Sequence, residues 1–273
     1  MFRLCDEGNP QVHDGSRREF VKAATMTAIA AAGLNLLATR PARAAATSAG
    51  HRVLVYGDSN TWGSSARVQG RAVTRLPDHE RWAGVLAQAL KAIDVTVIVD
   101  GLTGRTTDLD RAAGIGAVVA GSDFNGARSL RAALAREMPL DLVIIMLGTN
   151  DLAAAYNRSP AEIASAVMSL ADVVRTSAGG AATSYGAPKV LVVVPLALGN
   201  LDRSLLKEAF AGGGEKSMAL RSEFLKAAST KQIPVFDASS VTATDGDDGV
   251  HLTAQNHRAI GVAIAPVVEK LLK

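Results

Sequence analysis

Val53-Leu54-Val55-Tyr56-Gly57-Asp58-Ser59-Asn60-Thr61-Trp62-Gly63 is an apolar run that stops at a glycine and delivers a serine immediately afterwards. Apolar β-branched residues favour a buried strand, Gly57 permits a tight turn, and residues 58–61 are of the kinds that cap a helix start. The stretch therefore reads as a strand breaking into a turn that holds Ser59 at a sheet's edge. There the hydroxyl lies beside the free N–H groups of a helix N-terminus, where developing negative charge is stabilised. A serine in such a turn commonly serves only as a cap, so this stretch alone does not assign chemistry.

Three further stretches point to a catalytic serine, each placed after an expected strand. Gly101-Leu102-Thr103-Gly104-Arg105-Thr106-Thr107 follows 95–99, Gly148-Thr149-Asn150-Asp151 follows 142–147, and Asp248-Gly249-Val250-His251 follows 233–236 and a loop. Ligands of open parallel sheets bind outside the carboxyl ends of the strands, so Ser59, Gly104, Asn150 and the Asp248/His251 pair can converge on one pocket. Asp248 and His251, three residues apart, suit a carboxylate that holds one imidazole nitrogen while the other faces Ser59.

The chain around these blocks alternates short apolar runs with helix-like ones, which is the pattern of a parallel sheet covered on both faces. Helices are expected over 80–92, 126–137, 160–177, 215–230 and 254–272, with Pro160 well placed for a first turn. Strands are expected over 53–56, 95–99, 142–147, 190–194 and 233–236; the run at 142–147 is apolar on both faces and should be central. Residues 196–214 show no clean period. Gly212-Gly213-Gly214 lacks the Lys-Ser/Thr of a phosphate loop and reads as a turn or hinge.

The first segment reads as an address. Arg17-Arg18 precede a mostly apolar stretch, and Ala42-Arg43-Ala44 supplies the small-x-small pattern at which signal peptidases cut, so 1–44 reads as a twin-arginine export signal and the mature protein as periplasmic or secreted. The apolar run is shorter than the ~20 residues a spanning helix needs. Removing the segment takes six Lys/Arg and four Asp/Glu from a chain of net charge +3, leaving +1 over residues 45–273. The single cysteine, Cys5, lies in the leader, so no disulfide is expected after it. No cationic cluster interleaved with aromatics suggests nucleic acid, and a hydrophobic content of 48% is enough for one large core.

Other constellations are weaker. Asp245-Gly246-Asp247-Asp248 lacks the glutamate and spacing of a calcium loop, and no Cys/His cluster suggests zinc. Asp58 and Asp151 sit at turns where carboxylates usually accept backbone N–H bonds, so both read as scaffolding. His51 and His79 have no partner motif, and His257 reads as a surface or packing residue.

The four blocks, in this order over nearly the whole of 45–273, resemble the SGNH (GDSL-type) hydrolase family. Residues 81–86, 101–107, 141–151 and 187–193 resemble more narrowly the bacterial arylesterases that include acyltransferase/perhydrolase enzymes. The resemblance implies a flavodoxin-like three-layer α/β/α sandwich with a five-stranded parallel sheet, in a single domain over 45–273. It also implies Ser59 as acyl carrier, His251 as base, Asp248 as its orienter, and an oxyanion hole formed by Ser59, Gly104 and Asn150. The substrate would be a small ester, processed with no cofactor or metal, with acyl transfer to alcohols or peroxide beside hydrolysis. Trp62 and Leu102, next to the nucleophile and oxyanion turns, are expected in the substrate pocket. Assembly into a homo-oligomer is implied too. A polysaccharide O-deacetylase, a lysophospholipase/thioesterase and a non-catalytic carbohydrate-binding protein are the alternatives. Two departures from the family pattern are Asn60, where the motif name has leucine, and a glycine-rich segment between Thr107 and Asp123.

Overall fold

The computed structural model describes residues 50–111 and 120–273. The leader with Cys5 and the cleavage pattern at 42–44 lie outside the described residues, as does most of the glycine-rich segment after Thr107.

Strands β1 (His51–Gly57), β2 (Val95–Gly101), β3 (Leu142–Met146), β4 (Lys189–Val194) and β5 (Val235–Asp237) form one sheet in the order β2-β1-β3-β4-β5. Every neighbouring pair is parallel. Among the described residues six α-helices accompany them: α1 (Ser59–Trp62), α2 (Trp82–Ala89), α3 (Gly126–Glu137), α4 (Pro160–Thr176), α5 (Gly213–Lys231) and α6 (Ala254–Leu272).

Side chains alternate across a strand, and here both faces are buried. Leu54 and Tyr56 of β1 enter one core with Leu130, Ile163, Val167 and Phe224 from α3, α4 and α5. Val53 and Val55 enter the other, with Trp82, Leu86, Ile260 and Ile264 from α2 and α6. That division makes three layers. β3 is central and all five of its residues are buried, each apolar side chain contributing about 1.5–3 kcal/mol relative to exposure.

The strand order reverses at β1 and β3, and such a switch point opens a crevice above the carboxyl ends of those two strands. Ser59 follows β1 and Asn150 follows β3, so both stand at that crevice.

Two elements are shorter than their periodicity suggests. α2 covers only Trp82–Ala89, because Arg81 before it is extended and the chain beyond Leu90 tightens into a single turn ending at Asp94 in the left-handed region. β5 begins at Val235 because Pro234 has no N–H to give; its carbonyl instead accepts from Val192. Residues 196–201 are irregular, 202–212 are mostly turns, and Gly212 at φ 72° caps the start of α5.

Candidate active site

The turn that carries Ser59 is built by close backbone approach. Leu102 N–H donates to the Gly57 carbonyl at 3.1 Å, and a Cβ on Gly101 would lie 2.4 Å from the Trp62 nitrogen. Only glycine lets α1 sit against β2. The Asp58 carboxylate caps the turn by accepting from Asn60 N–H at 2.9 Å, and burial raises its pKa to about 6 against the opposing pull of that bond and of His251. Below the turn, Arg105 donates to the carbonyls of Gly57 and Asp100 at 2.9 and 2.7 Å. Its guanidinium also stacks on Tyr56 at 4.1 Å. Arg105 is buried, and nothing in the motif spacing had marked it as the anchor of this corner.

Gly104 adopts φ 86°, a conformation that favours glycine, in a turn closed by Arg105 N–H to the Leu102 carbonyl at 2.9 Å. Asn150 opens a single helical turn after β3, and its Nδ2 donates to the Arg105 carbonyl at 3.0 Å. The two blocks are thereby fixed to each other. Asp151 completes the joint: fully buried, it accepts from Thr107 N–H at 3.0 Å, from Thr107 Oγ1 at 2.5 Å and from Arg158 at 3.3 Å. Asp58 and Asp151 thus act as acceptors within the scaffold.

Asp248 and His251 lie on the loop before α6, both buried. His251 Nδ1 and Asp248 Oδ2 are 2.6 Å apart. The same carboxylate accepts from the N–H groups of Arg67, Val250 and His251 at 2.7, 3.0 and 2.9 Å. Burial works against its charge, but the bond to His251, that residue's charge and these N–H groups outweigh it and hold Asp248 well below the usual carboxylate range.

Asn60 joins the loop to the turn that carries Ser59. Its Nδ2 donates to the Val250 carbonyl at 3.2 Å, and its Oδ1 accepts from Leu252 N–H at 3.1 Å. A leucine at this position could make neither bond.

A cavity of about 570 Å³ is lined by Ser59, Gly104, Asn150 and His251 together. Four of the five residues singled out from sequence therefore open into one space, with Asp248 behind His251. Ser59 and His251 are not hydrogen-bonded to each other; a nucleophile–base contact commonly tightens only when substrate binds.

Trp62 and Leu102 are not in the cavity wall, contrary to expectation. Trp62 ends α1 facing Arg75, whose guanidinium lies 5.1 Å from its ring and donates to its carbonyl at 2.8 Å. Leu102 is held half-buried by its bond to Gly57. The apolar walls come instead from Ala153–Ala155, Tyr156, Leu206, Ala209, Phe210 and Val250. Most of these sit in aperiodic turns, so no sequence pattern announced them.

A larger groove, about 880 Å³, runs along α2, β2 and α6 past Arg75, Arg81 and Arg258. It contains no serine or cysteine, so the smaller cavity is where acyl chemistry is feasible. Among the described residues no group of three His, Cys, Asp or Glu side chains could hold a metal ion. His257, fully buried, accepts from Trp82 N–H at 3.3 Å and packs α6 onto α2. His51 and His79 lie outside the cavity.

The fold has close counterparts among solved structures. The native M. smegmatis aryl esterase is 44% identical over 81% of this chain and 99% of its own, with a TM-score of 0.75. Est24, a carbohydrate acetylesterase from Sinorhizobium meliloti, is 40% identical over the same shares, also at 0.75. A carbohydrate acetylesterase family member from the same organism is 37% identical with a TM-score of 0.72, again covering 81% and 99%. No curated protein matches significantly. The model of the GDSL-like lipase/acylhydrolase family matches residues 55–259; with the sheet order and a relative this similar along nearly its whole length, the chain belongs to that family.

Proposed function

We propose that Ser59 is the acyl-carrying nucleophile of this carboxylic ester hydrolase. The protein is a serine esterase of its family. The observation that carries the assignment to Ser59 is the cavity that Ser59 shares with His251, whose ring is fixed from behind by Asp248 at 2.6 Å. His251 takes the hydroxyl proton through its other nitrogen as Ser59 Oγ attacks the ester carbonyl. The bond to Asp248 holds the tautomer this requires and stabilises the imidazolium that forms. The oxyanion is met by the N–H groups of Ser59 and Gly104 and by the Asn150 amide, each such donor being worth about 3–4 kcal/mol in the transition state. Collapse expels the alcohol, protonated by His251, and water completes the cycle by the reverse steps. Peptide mapping after an acid quench during turnover of p-nitrophenyl acetate should find acetate on Ser59; an acetyl group on another residue would refute the assignment.

Acyl transfer to alcohols, and to peroxide, is part of the same proposal. Its support is the apolar wall of Tyr156, Leu206 and Phe210, which favours an alkyl or aryl acceptor over water. A second reading, removal of acetyl groups from carbohydrate, is favoured by the likeness to Est24. Acetylated xylose assayed beside aryl acetates separates the two.

The leader at 1–44 is proposed to direct twin-arginine export to the periplasm, supported by Arg17-Arg18 and Ala42-Arg43-Ala44. N-terminal sequencing of the exported protein tests this, and a start near Ala45 is expected. A homo-oligomer is proposed from the arylesterase resemblance; light scattering that returns the monomer mass would oppose it.

A further inference from the structure

The cavity holding Ser59 and His251 is also lined by Arg67, Arg111 and Glu208. Arg67 and Glu208 are both exposed, opposite in sign and open to screening. Arg111 is different. It is half-buried, its guanidinium lies over the Phe124 ring at 4.8 Å, and its Nη1 donates to the Gly104 carbonyl at 3.4 Å. A Cβ on Gly104 would stand 1.7 Å from that same nitrogen. The bare glycine is therefore what allows the cation to rest on the oxyanion turn.

Nearby arginines have carboxylate partners: Arg105 pairs with Asp100, Arg128 with Asp110 and Arg158 with Asp108. Among the described residues Arg111 has none, although its guanidinium is held on one side by an aromatic face and on the other by a carbonyl. A fixed cation at a cavity wall with no counter-ion among the described residues is suited to an anion brought by the ligand. We propose that Arg111 is a specificity-determining residue that selects esters carrying a carboxylate or comparable anion near the scissile carbonyl. The uncharged part of such an ester would lie against Tyr156, Leu206 and Phe210. The proposal rests on the esterase reading above and names the substrate class of that site.

The anion could belong to the acyl or the alcohol half, and two ester pairs distinguish these. One is mono-p-nitrophenyl succinate against its methyl ester; the other is 4-acetoxybenzoate against its methyl ester, with Ser59→Ala giving the uncatalysed rate. In at least one pair the wild-type protein should prefer the anion about tenfold in kcat/KM, mostly through KM, which corresponds to 1.4 kcal/mol. High salt should shrink that ratio, Arg111→Gln should bring it close to one, and Arg111→Lys should keep part of it. Equal or better turnover of the methyl ester in both pairs overturns the proposal. So does a preference that survives Arg111→Gln. Should that variant fail to fold, a wild-type ratio indifferent to salt overturns it as well. Turnover of none of the four esters would instead overturn the esterase reading and take this proposal with it.

Discussion

Asn60 and His251 are bound together without touching through their side chains: the Asn60 carboxamide takes hold of the backbone immediately before and immediately after the histidine, at Val250 and Leu252. The residue following Ser59 thus sets where His251 stands. Both backbone groups are buried, so removing the carboxamide leaves them unpaired, at a cost of about 1–3 kcal/mol each.

Asn60→Leu is accordingly expected to fold with a lowered denaturation midpoint and to lose esterase activity mainly in kcat, since the substrate walls are untouched. Thermal melts and Michaelis–Menten analysis with p-nitrophenyl acetate check this. Unchanged kcat with unchanged stability would show that the clamp is dispensable.

Asp58 should make stability depend on pH in a specific direction. Burial raises its carboxyl to about 6 in the folded protein, so the native state prefers the neutral form. Stability from this group is then highest in acid and falls as pH rises from about 4, the unfolded value, to about 6, by on the order of 3 kcal/mol. Asp58→Asn keeps the acceptor for Asn60 N–H and should remove that fall. Relative to wild type the variant should gain stability between pH 4 and 7 in urea titrations; a parallel pair of curves would contradict the prediction.

His257 should act with the opposite sign. Burial first, then the charges of Arg81 and His251, depress its pKa to about 4. The stability it contributes is complete above the unfolded value of about 6.5 and is lost as pH falls towards 4, again on the order of 3 kcal/mol. His257→Gln retains an acceptor for Trp82 N–H and should flatten this loss. A variant curve that declines as steeply as wild type between pH 6.5 and 4 would count against it.

Acyl transfer is tested by offering vinyl acetate with dilute benzyl alcohol in water and quantifying both products. Benzyl acetate is expected above the uncatalysed level, and Phe210→Ala should shift the partition towards acetate by removing apolar wall. Acetate alone, with no enzymatic benzyl acetate, would restrict the enzyme to hydrolysis.

The sheet was legible because buried parallel strands are written as continuous apolar runs, and α4 because Pro160 marked its first turn. The site was legible because each block follows a strand and carries chemistry-bearing residues. Three things were not. Arg105 supports the corner through contacts to carbonyls and a ring, which leave no spacing signal. The wall at Leu206 and Phe210 is formed by aperiodic turns whose placement depends on tertiary contacts. Trp62 was misplaced because adjacency in sequence to Ser59 says nothing about direction, and one helical turn carries it round to Arg75.

The most direct test is the turnover of p-nitrophenyl acetate by Ser59→Ala. The side chain removed is small and opens into the cavity, so the melting temperature should match wild type while kcat falls by roughly several hundred-fold or more, towards the residue left by the oxyanion donors alone. A folded Ser59→Ala protein turning over at the wild-type rate would contradict the account.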